Sequence, residues 1–205
     1  MLKIYLARHG QDEDNFNGIL NGRRNKPLTE LGRQQAFELS ENIKKRGIQF
    51  VKVYSSPLKR AFETAQIITK NLGINPPEKW DLIIERDFGV MTGQPHTKIK
   101  EMCSPKIIQT DTVTYFLSPQ GAETFPDLIK RSKKILKTVK ENHTDGDILL
   151  VSHGDIGKMI FATYYQLDWK KVLRMFHFGN SDLILLAQDS TPQTAYIFKN
   201  NQVNL

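Results

Sequence analysis

The sequence holds a single cysteine, Cys103, in 205 residues. One thiol excludes an internal disulfide and a thiolate-rich metal site, and it suits a reducing compartment. No stretch approaches the roughly 20 continuous apolar residues that a membrane helix needs. Met1-Leu2-Lys3-Ile4 enters a strand pattern directly, without a basic region followed by a long apolar run and a small-residue cleavage site. These absences lead us to expect a cytoplasmic protein with no membrane partner. Nor does a Pro/Gly/Ser-rich linker, a low-complexity tract or an internal repeat divide the chain, so one domain over residues 1–205 is expected. Its length allows one sizeable core, and 39% hydrophobic with 25% charged residues is the make-up of a globular protein.

Negative charge is also in deficit, with a formal net charge of +7. That excess invites a nucleic-acid reading. Yet Lys44-Lys45-Arg46 and Lys130-Arg131-Ser132-Lys133-Lys134 fall in segments whose other positions are apolar at helical spacing. Solvated helix faces account for them, so we expect no nucleic-acid partner. The remaining positive charge, including Arg23-Arg24-Asn25-Lys26 and Lys170-Lys171, can help gather small anions.

What the chain does have is a strand pattern that runs twice into His-Gly and a polar turn. One is Leu2-Lys3-Ile4-Tyr5-Leu6-Ala7-Arg8-His9-Gly10, the other Asp147-Ile148-Leu149-Leu150-Val151-Ser152-His153-Gly154. Strand candidates are Ile4 to Ala7, Phe50 to Tyr54, Asp81 to Ile84, Ile148 to Ser152, Leu183 to Ala187 and Thr194 to Phe198. Helices fall between them. Ser56-Pro57 reads as a cap followed by proline, then Leu58, Ala61, Ala65, Ile68 and Leu72 form an apolar stripe that Gly73 ends. Thr29 caps another that reaches Gly47, Thr124 with Asp127 resembles a capping box, and Gly154 opens a further helix.

Alternating strands and helices imply an α/β fold, a three-layer αβα sandwich on a mostly parallel, mixed sheet of about six strands. The last two strands, joined across Gln188 to Gln193, read as an antiparallel edge hairpin. Thr92 to Gly121 is weakly patterned, holds three of the nine prolines, and reads as an insertion lying over a pocket mouth.

In an open parallel sheet, ligands bind outside the carboxyl ends of the strands. Histidines ending two such strands face one pocket, and a glycine after each lets backbone N–H groups approach an anion. Arg8 points to a phosphate or carboxylate as that anion. Arg60, one turn into the helix after Ser55-Ser56-Pro57, falls at the same edge, as do Glu85 after Leu82-Ile83-Ile84 and Asn15 in the loop after Gly10. Two histidines, two arginines, an amide and a carboxylate compose a metal-free phosphoryl-transfer site, with no cofactor expected. His9 suits a nucleophile, Arg8, Arg60 and a protonated His153 suit charge neutralisation, and Glu85 suits an acid whose pKa is raised by desolvation. Each residue alone has a plainer reading: His153 a satisfied strand-end histidine, Glu85 a surface partner of Arg86, Arg60 an exposed helix arginine, Asn15 a turn former.

Leu6-Ala7-Arg8-His9-Gly10 with Asn15 resembles the first signature of the histidine phosphatase superfamily, the phosphoglycerate mutase-like fold. Asn21-Gly22-Arg23 through Pro27-Leu28-Thr29-Glu30-Leu31-Gly32 is similar to the segment that follows it. Tyr54-Ser55-Ser56-Pro57-Leu58-Lys59-Arg60-Ala61, Glu85-Arg86-Asp87-Phe88-Gly89 and Val151-Ser152-His153-Gly154 resemble the later motifs. The resemblance implies His9 as nucleophile, Glu85 as proton donor, and Arg8, Arg60, His153 and Asn15 as phosphate ligands. It also implies that Asn21, Gly22 and the Gly154 backbone line the site. The chain departs from the family at Gln11 and Asp12, where Glu then Ser or Thr often stand. The acidic run Asp12-Glu13-Asp14 is expected either to repel phosphate or to select a cationic substrate group. Gln120-Gly121-Ala122-Glu123-Thr124 resembles the family's Gly-Glu-Ser segment.

The resemblance implies a phosphomonoester hydrolase acting through a phosphohistidine on a small phosphorylated metabolite. A mutase-type transfer is the alternative, but mutases of this family carry an arginine-rich insertion. Here Thr92 to Gly121 offers Lys98, Lys100 and Lys106 and no arginine. A non-catalytic phospho-ligand module is expected to lose His9 or Glu85, and both are present. Cys103 lacks an arginine six places on, Asp12-Glu13-Asp14 lies past the strand-ending glycine, and no His/Asp cluster suits two metals, which sets aside other phosphatase chemistries. A homodimer is left open, with Phe176 and Phe178 packing inward or forming an interface.

Overall fold

The computed structural model describes residues 1–200. In chain order the elements begin with β1 (Leu2–Arg8), α1 (Glu13–Phe16), α2 (Glu30–Lys45), β2 (Phe50–Ser55), α3 (Lys59–Leu72) and β3 (Glu78–Lys79). They continue with α4 (Ile99–Cys103), β4 (Ile107–Gln109), β5 (Thr114–Phe116), α5 (Phe125–Asn142) and β6 (Gly146–Ser152). The last are α6 (Gly154–Tyr164), α7 (Trp169–Met175), β7 (Leu183–Leu186) and β8 (Tyr196–Phe198).

The main sheet has the order β3-β2-β6-β1-β7-β8. β3, β2, β6 and β1 run parallel to their neighbours, while β7 is antiparallel to β1 and β8 to β7. Strand side chains alternate between two cores, as the pleat requires. Ile4, Leu6, Ile148 and Leu150 pack with α5 and α6 through Leu128, Ile135, Ile156 and Met159. Tyr5, Ala7, Leu149 and Val151 pack with α2 and α3 through Leu39, Ile43, Ala61 and Ile68. Burial on both faces explains why the central strands read as unbroken apolar runs. The result is the expected three-layer αβα sandwich on a mixed, mostly parallel sheet.

Helix ends follow local chemistry. Thr29 caps α2 by accepting from Gly32 N, and Thr124 and Asp127 form a reciprocal capping box on α5. Gly73 ends α3 at φ +66°, a left-handed conformation that glycine enters without Cβ strain. Ser56 does not cap α3. Its N–H still extends the sheet ladder to Val151 O, so the helix starts only at Lys59, whose amide is capped by Asn25 Oδ1 at 2.7 Å.

One strand expectation needs correction. Asp81 to Ile84 is not a strand: Asp81–Ile83 forms a 3-10 turn, and β3 lies just before it. Ile83 is buried there in the α5–α6 core, so the apolar run reflects packing without sheet pairing. Thr92 to Gly121, weakly patterned in sequence, holds α4 and an antiparallel β4–β5 hairpin. A small core of Leu20, Phe88, Met91, Ile99, Cys103 and Phe116 fastens it beside the Glu85 motif. Of the two alternatives left open for Phe176 and Phe178, the structure has the inward one: Phe178 is buried and Phe176 packs against the main core. No helix among the described residues is long and apolar enough to cross a membrane.

The His9 loop is wedged against α2. A Cβ on Gly10 would lie 2.2 Å from Gly32 O, and one on Gly32 would lie 2.0 Å from Gln11 O. Helix propensity alone would make Gly32→Ala stabilising by about 1 kcal/mol. The backbone collision overrides it, at a cost of about 3 kcal/mol. The net loss of about 2 kcal/mol should place the Gly32→Ala thermal midpoint about 4–8 °C below wild type, and an unchanged or higher midpoint would contradict the wedge.

Candidate active site

Pairing between β1 and β6 sets Arg8 opposite Ser152, and His9 N–H donates to Ser152 O at 3.0 Å. The two next residues therefore leave the sheet side by side, with the rings of His9 and His153 centred 5.1 Å apart at 60°. His9 is 2% exposed and its Nδ1 sits 2.7 Å from Gly10 O. A carbonyl can only accept, so Nδ1 carries the proton and Nε2 keeps a lone pair. Burial holds His9 well below the ordinary histidine pKa, with Arg60 and Arg8 adding to the effect. The ring is thus neutral near pH 7.

Arg60 is fully buried. Its Nη1 donates to Arg24 O and its Nη2 to Gly22 O, each at 2.7 Å. Gly22 adopts φ +48° with Phe88 3.0 Å from where a Cβ would stand, which aims its carbonyl at Arg60. Arg60 Nε lies 3.1 Å from His9 Nε2 and 3.2 Å from Asp12 Oδ2. The acidic run is thereby explained, and against expectation it offers no free negative charge to substrate. Asp12 pairs with Arg60, Glu13 with Lys26, and Asp14 with Arg24.

Arg8 Nη1 donates to Phe178 O at 2.7 Å, but its Nε is buried without a partner. His153 is likewise fully buried, with Nε2 2.7 Å from Ser56 Oγ and Nδ1 unpartnered. Burial, then Arg60, His9 and Arg8, push His153 well below the usual histidine pKa. These surroundings disfavour the imidazolium expected at His153. Gly154, the first residue of α6, faces these groups: a Cβ there would lie 3.8 Å from Arg8 Nε and 3.9 Å from Glu85 Oε2.

Glu85 is 5% exposed and sits over the amino end of α6, where its carboxylate accepts from Asp155 N at 3.4 Å and Ile156 N at 3.3 Å. Such amides favour the ionised form, but burial, reinforced by the Asp155 charge, wins and raises the carboxyl pKa. Two arginines fix its backbone. Arg131 donates to Leu82 O, Ile84 O and Glu85 O while forking Glu123. Arg86 donates to Asp155 Oδ2 at 2.7 Å and lies over the rings of Phe88, Phe116 and Phe125.

Asn15 accepts from Asn180 Nδ2 at 3.1 Å, and Asn180 also donates to His9 O. Asn21 Nδ2 donates to Asp12 Oδ2 at 2.7 Å. Arg8, His9, Arg60, Glu85, His153 and Gly154 converge on one edge of the sheet, while Asn15, Asn21 and Gly22 attach to that cluster through Asn180, Asp12 and Arg60. One local expectation changes: Gly10 N–H is taken by Thr64 Oγ1 and is not left for an anion, just as the first amide of α3 is taken by Asn25. Ser56, Asp12, Asn180, Arg86 and Arg131 belong to the assembly without having been singled out as site residues. Ser56, Arg86 and Asp12 carried a signal, through their places within or beside motifs, whereas Asn180 and Arg131 stood in none of them. Among the described residues, no group of three or more His, Cys, Asp or Glu side chains could hold a metal ion.

Comparison with known proteins places this geometry in context. The family model for the histidine phosphatase superfamily (branch 1) matches residues 4–199. Phosphoserine phosphatase 1 of Hydrogenobacter thermophilus is 31% identical over 173 residues, 83% of this chain and 80% of that protein. A 2,3-bisphosphoglycerate-dependent phosphoglycerate mutase of Parvibaculum lavamentivorans is 28% identical over 84% of both. The rat 6-phosphofructo-2-kinase/fructose-2,6-bisphosphatase 1 is 30% identical over 80% of this chain, which spans about a third (32%) of that longer protein. Among solved structures, mycobacterial glucosyl-3-phosphoglycerate phosphatase shares the fold, with a TM-score of 0.77 at 24% identity over 90% of this chain and 92% of that one. A histidine-to-alanine variant of Entamoeba histolytica phosphoserine phosphatase, in complex with phosphoserine, has a TM-score of 0.72 at 27% identity over 90% of both chains. By its sequence over residues 4–199 and by its fold, the chain belongs to the histidine phosphatase superfamily.

Proposed function

We propose that this chain hydrolyses phosphomonoesters of small metabolites through a covalent phosphohistidine at His9. The observation that carries this reading is a neutral imidazole, its Nε2 lone pair beside buried guanidinium groups, with Arg8 Nε and His153 Nδ1 lacking partners. Buried polar groups without partners are costly, and phosphate oxygens would satisfy both. Arg60, with one N–H of each terminal nitrogen still free, supplies a fork of the kind that binds phosphate.

His9 Nε2 attacks phosphorus as the bond to the leaving oxygen breaks, and Glu85 gives that oxygen its proton. Water then attacks the phosphohistidine, returns a proton to Glu85 and restores the Nε2 lone pair. A neutral histidine suits the first role and a raised carboxyl pKa the second. The dianion itself favours a proton on His153, so this ring becomes a cation only once substrate is bound. Asn15, with Oδ1 occupied by Asn180, keeps its own N–H pair for the phosphate. Hydrolysis is favoured over mutase transfer because residues 92–121 carry no arginine to hold a second anion. The phosphatase relatives point the same way.

A screen over sugar phosphates, nucleotides, phosphoglycerates and phosphopeptides, run with EDTA, should find turnover. His9→Ala should lower it by about 10⁴-fold or more. Glu85→Gln should slow alkyl phosphates by about 10²–10⁴-fold and 4-nitrophenyl phosphate far less, since that leaving group needs no proton. Full turnover in His9→Ala would reject the nucleophile, and equal losses on both substrates would reject the acid. Asp155→Asn removes a charge that raises the Glu85 pKa, so Glu85 should ionise at lower pH. A general acid works protonated, so the alkaline limb of kcat/KM for an alkyl phosphate should move to lower pH. A limb that stays put would separate Glu85 from that limb. The same variant leaves Arg86 without its carboxylate and should lose about 3 kcal/mol of stability.

A further inference from the structure

Arg60 has a single Nε–H, which donates to His9 Nε2 at 3.1 Å, while a second potential acceptor, the ion-paired Asp12 Oδ2, stands at the nearly equal distance of 3.2 Å from the same nitrogen. While that hydrogen rests on His9, it covers the lone pair that must reach phosphorus. The competing acceptor is held in place. Asp12 is fully buried, Oδ1 accepts from Asn15 N and Oδ2 from Asn21 Nδ2, both at 2.7 Å. We infer that Asp12 is a positioning residue that draws the Arg60 Nε–H away from His9 Nε2 as phosphoryl transfer begins. The inference rests on His9 being the nucleophile, as proposed above.

As the Nε2–P bond forms and the bond to the leaving oxygen breaks, Glu85 supplies the leaving proton and Nδ1–H stays on Gly10 O. The Arg60 hydrogen finishes on Asp12 Oδ2. When water cleaves the N–P bond, the lone pair returns and the hydrogen goes back to His9 Nε2. Asp12 also offsets the Arg60 charge that faces phosphate, which eases release of the product anion. The carboxylate thus speeds transfer while loosening the grip on phosphate. Simple damage to the pocket would instead slow transfer and weaken binding together.

Asp12→Asn is nearly isosteric and keeps an oxygen to cap Asn15 N, while Asp12→Ser keeps a cap and removes the carboxylate. Rapid quench with 4-nitrophenyl phosphate should show phosphohistidine forming about 10–100-fold more slowly in both variants. Calorimetry should show orthophosphate binding about tenfold tighter. In wild type against Asp12→Asn, the ¹⁵N resonance of His9 Nε2 should move upfield, as an acceptor nitrogen does when its hydrogen bond strengthens. Transfer within twofold of wild type in both variants, or slower transfer with weaker phosphate binding, would overturn the assignment. Wild type that traps no phosphohistidine would reject the proposed reaction. The ¹⁵N shift and the calorimetry would then still decide whether Asp12 competes for the Arg60 hydrogen, an unmoved resonance counting against it.

Discussion

The parallel pairing of β1 with β6 is the constraint on which the rest of the site depends. Register sets Arg8 opposite Ser152, and one further ladder bond, His9 N–H to Ser152 O, carries the order past the last paired residue. Two imidazoles some 140 positions apart in the chain are thereby fixed with ring centres 5.1 Å apart. β2 lies on the other side of β6 and delivers Ser56 to His153 and, through α3, Arg60 to His9. Glu85 comes from no strand end. It rides on a turn that Arg131 fastens from α5, a helix on one face of the sheet.

Electrostatics follow from that assembly. Arg60 and Arg8 converge on two desolvated histidines, and each of these cations disfavours another positive charge nearby. The unliganded site settles this with neutral rings, backbone carbonyls and one buried aspartate. Glu85 settles in the opposite sense, as a carboxyl reluctant to ionise beside Asp155. For the roles proposed above, a histidine pKa held down and a carboxyl pKa held up are the directions that suit a nucleophile and a general acid.

Much of this was legible in the amino-acid order. The αβα layering follows from apolar runs broken by helical stripes, and Gly73, Thr29 and the Thr124–Asp127 box mark helix ends where the structure has them. The convergence of Arg8, His9, Arg60, Glu85 and His153 followed from strand ends sharing one edge. The Glu85 placement succeeded for a partly wrong reason, since Asp81–Ile83 is a turn whose apolar residues face a helix. A short apolar run cannot by itself separate those cases. Arg86 and Arg131 were not legible as supports because their partners, Asp155 and the carbonyls of 82–85, are distant in sequence. The Asp12–Arg60 pair was equally hidden, as an acidic triplet beside an anion site reads as repulsion until each acid is seen with its own cation.

The interlock of Gly10 with Gly32 has a consequence for precision. A contact made by main chain on both sides has no rotamers to sample, so the imidazole that follows β1 is placed beside a contact free of side-chain motion. In-line displacement at phosphorus loses rate steeply with small errors of distance and angle. Two missing methyl groups, one in a loop and one at the start of a helix, are what allow that contact.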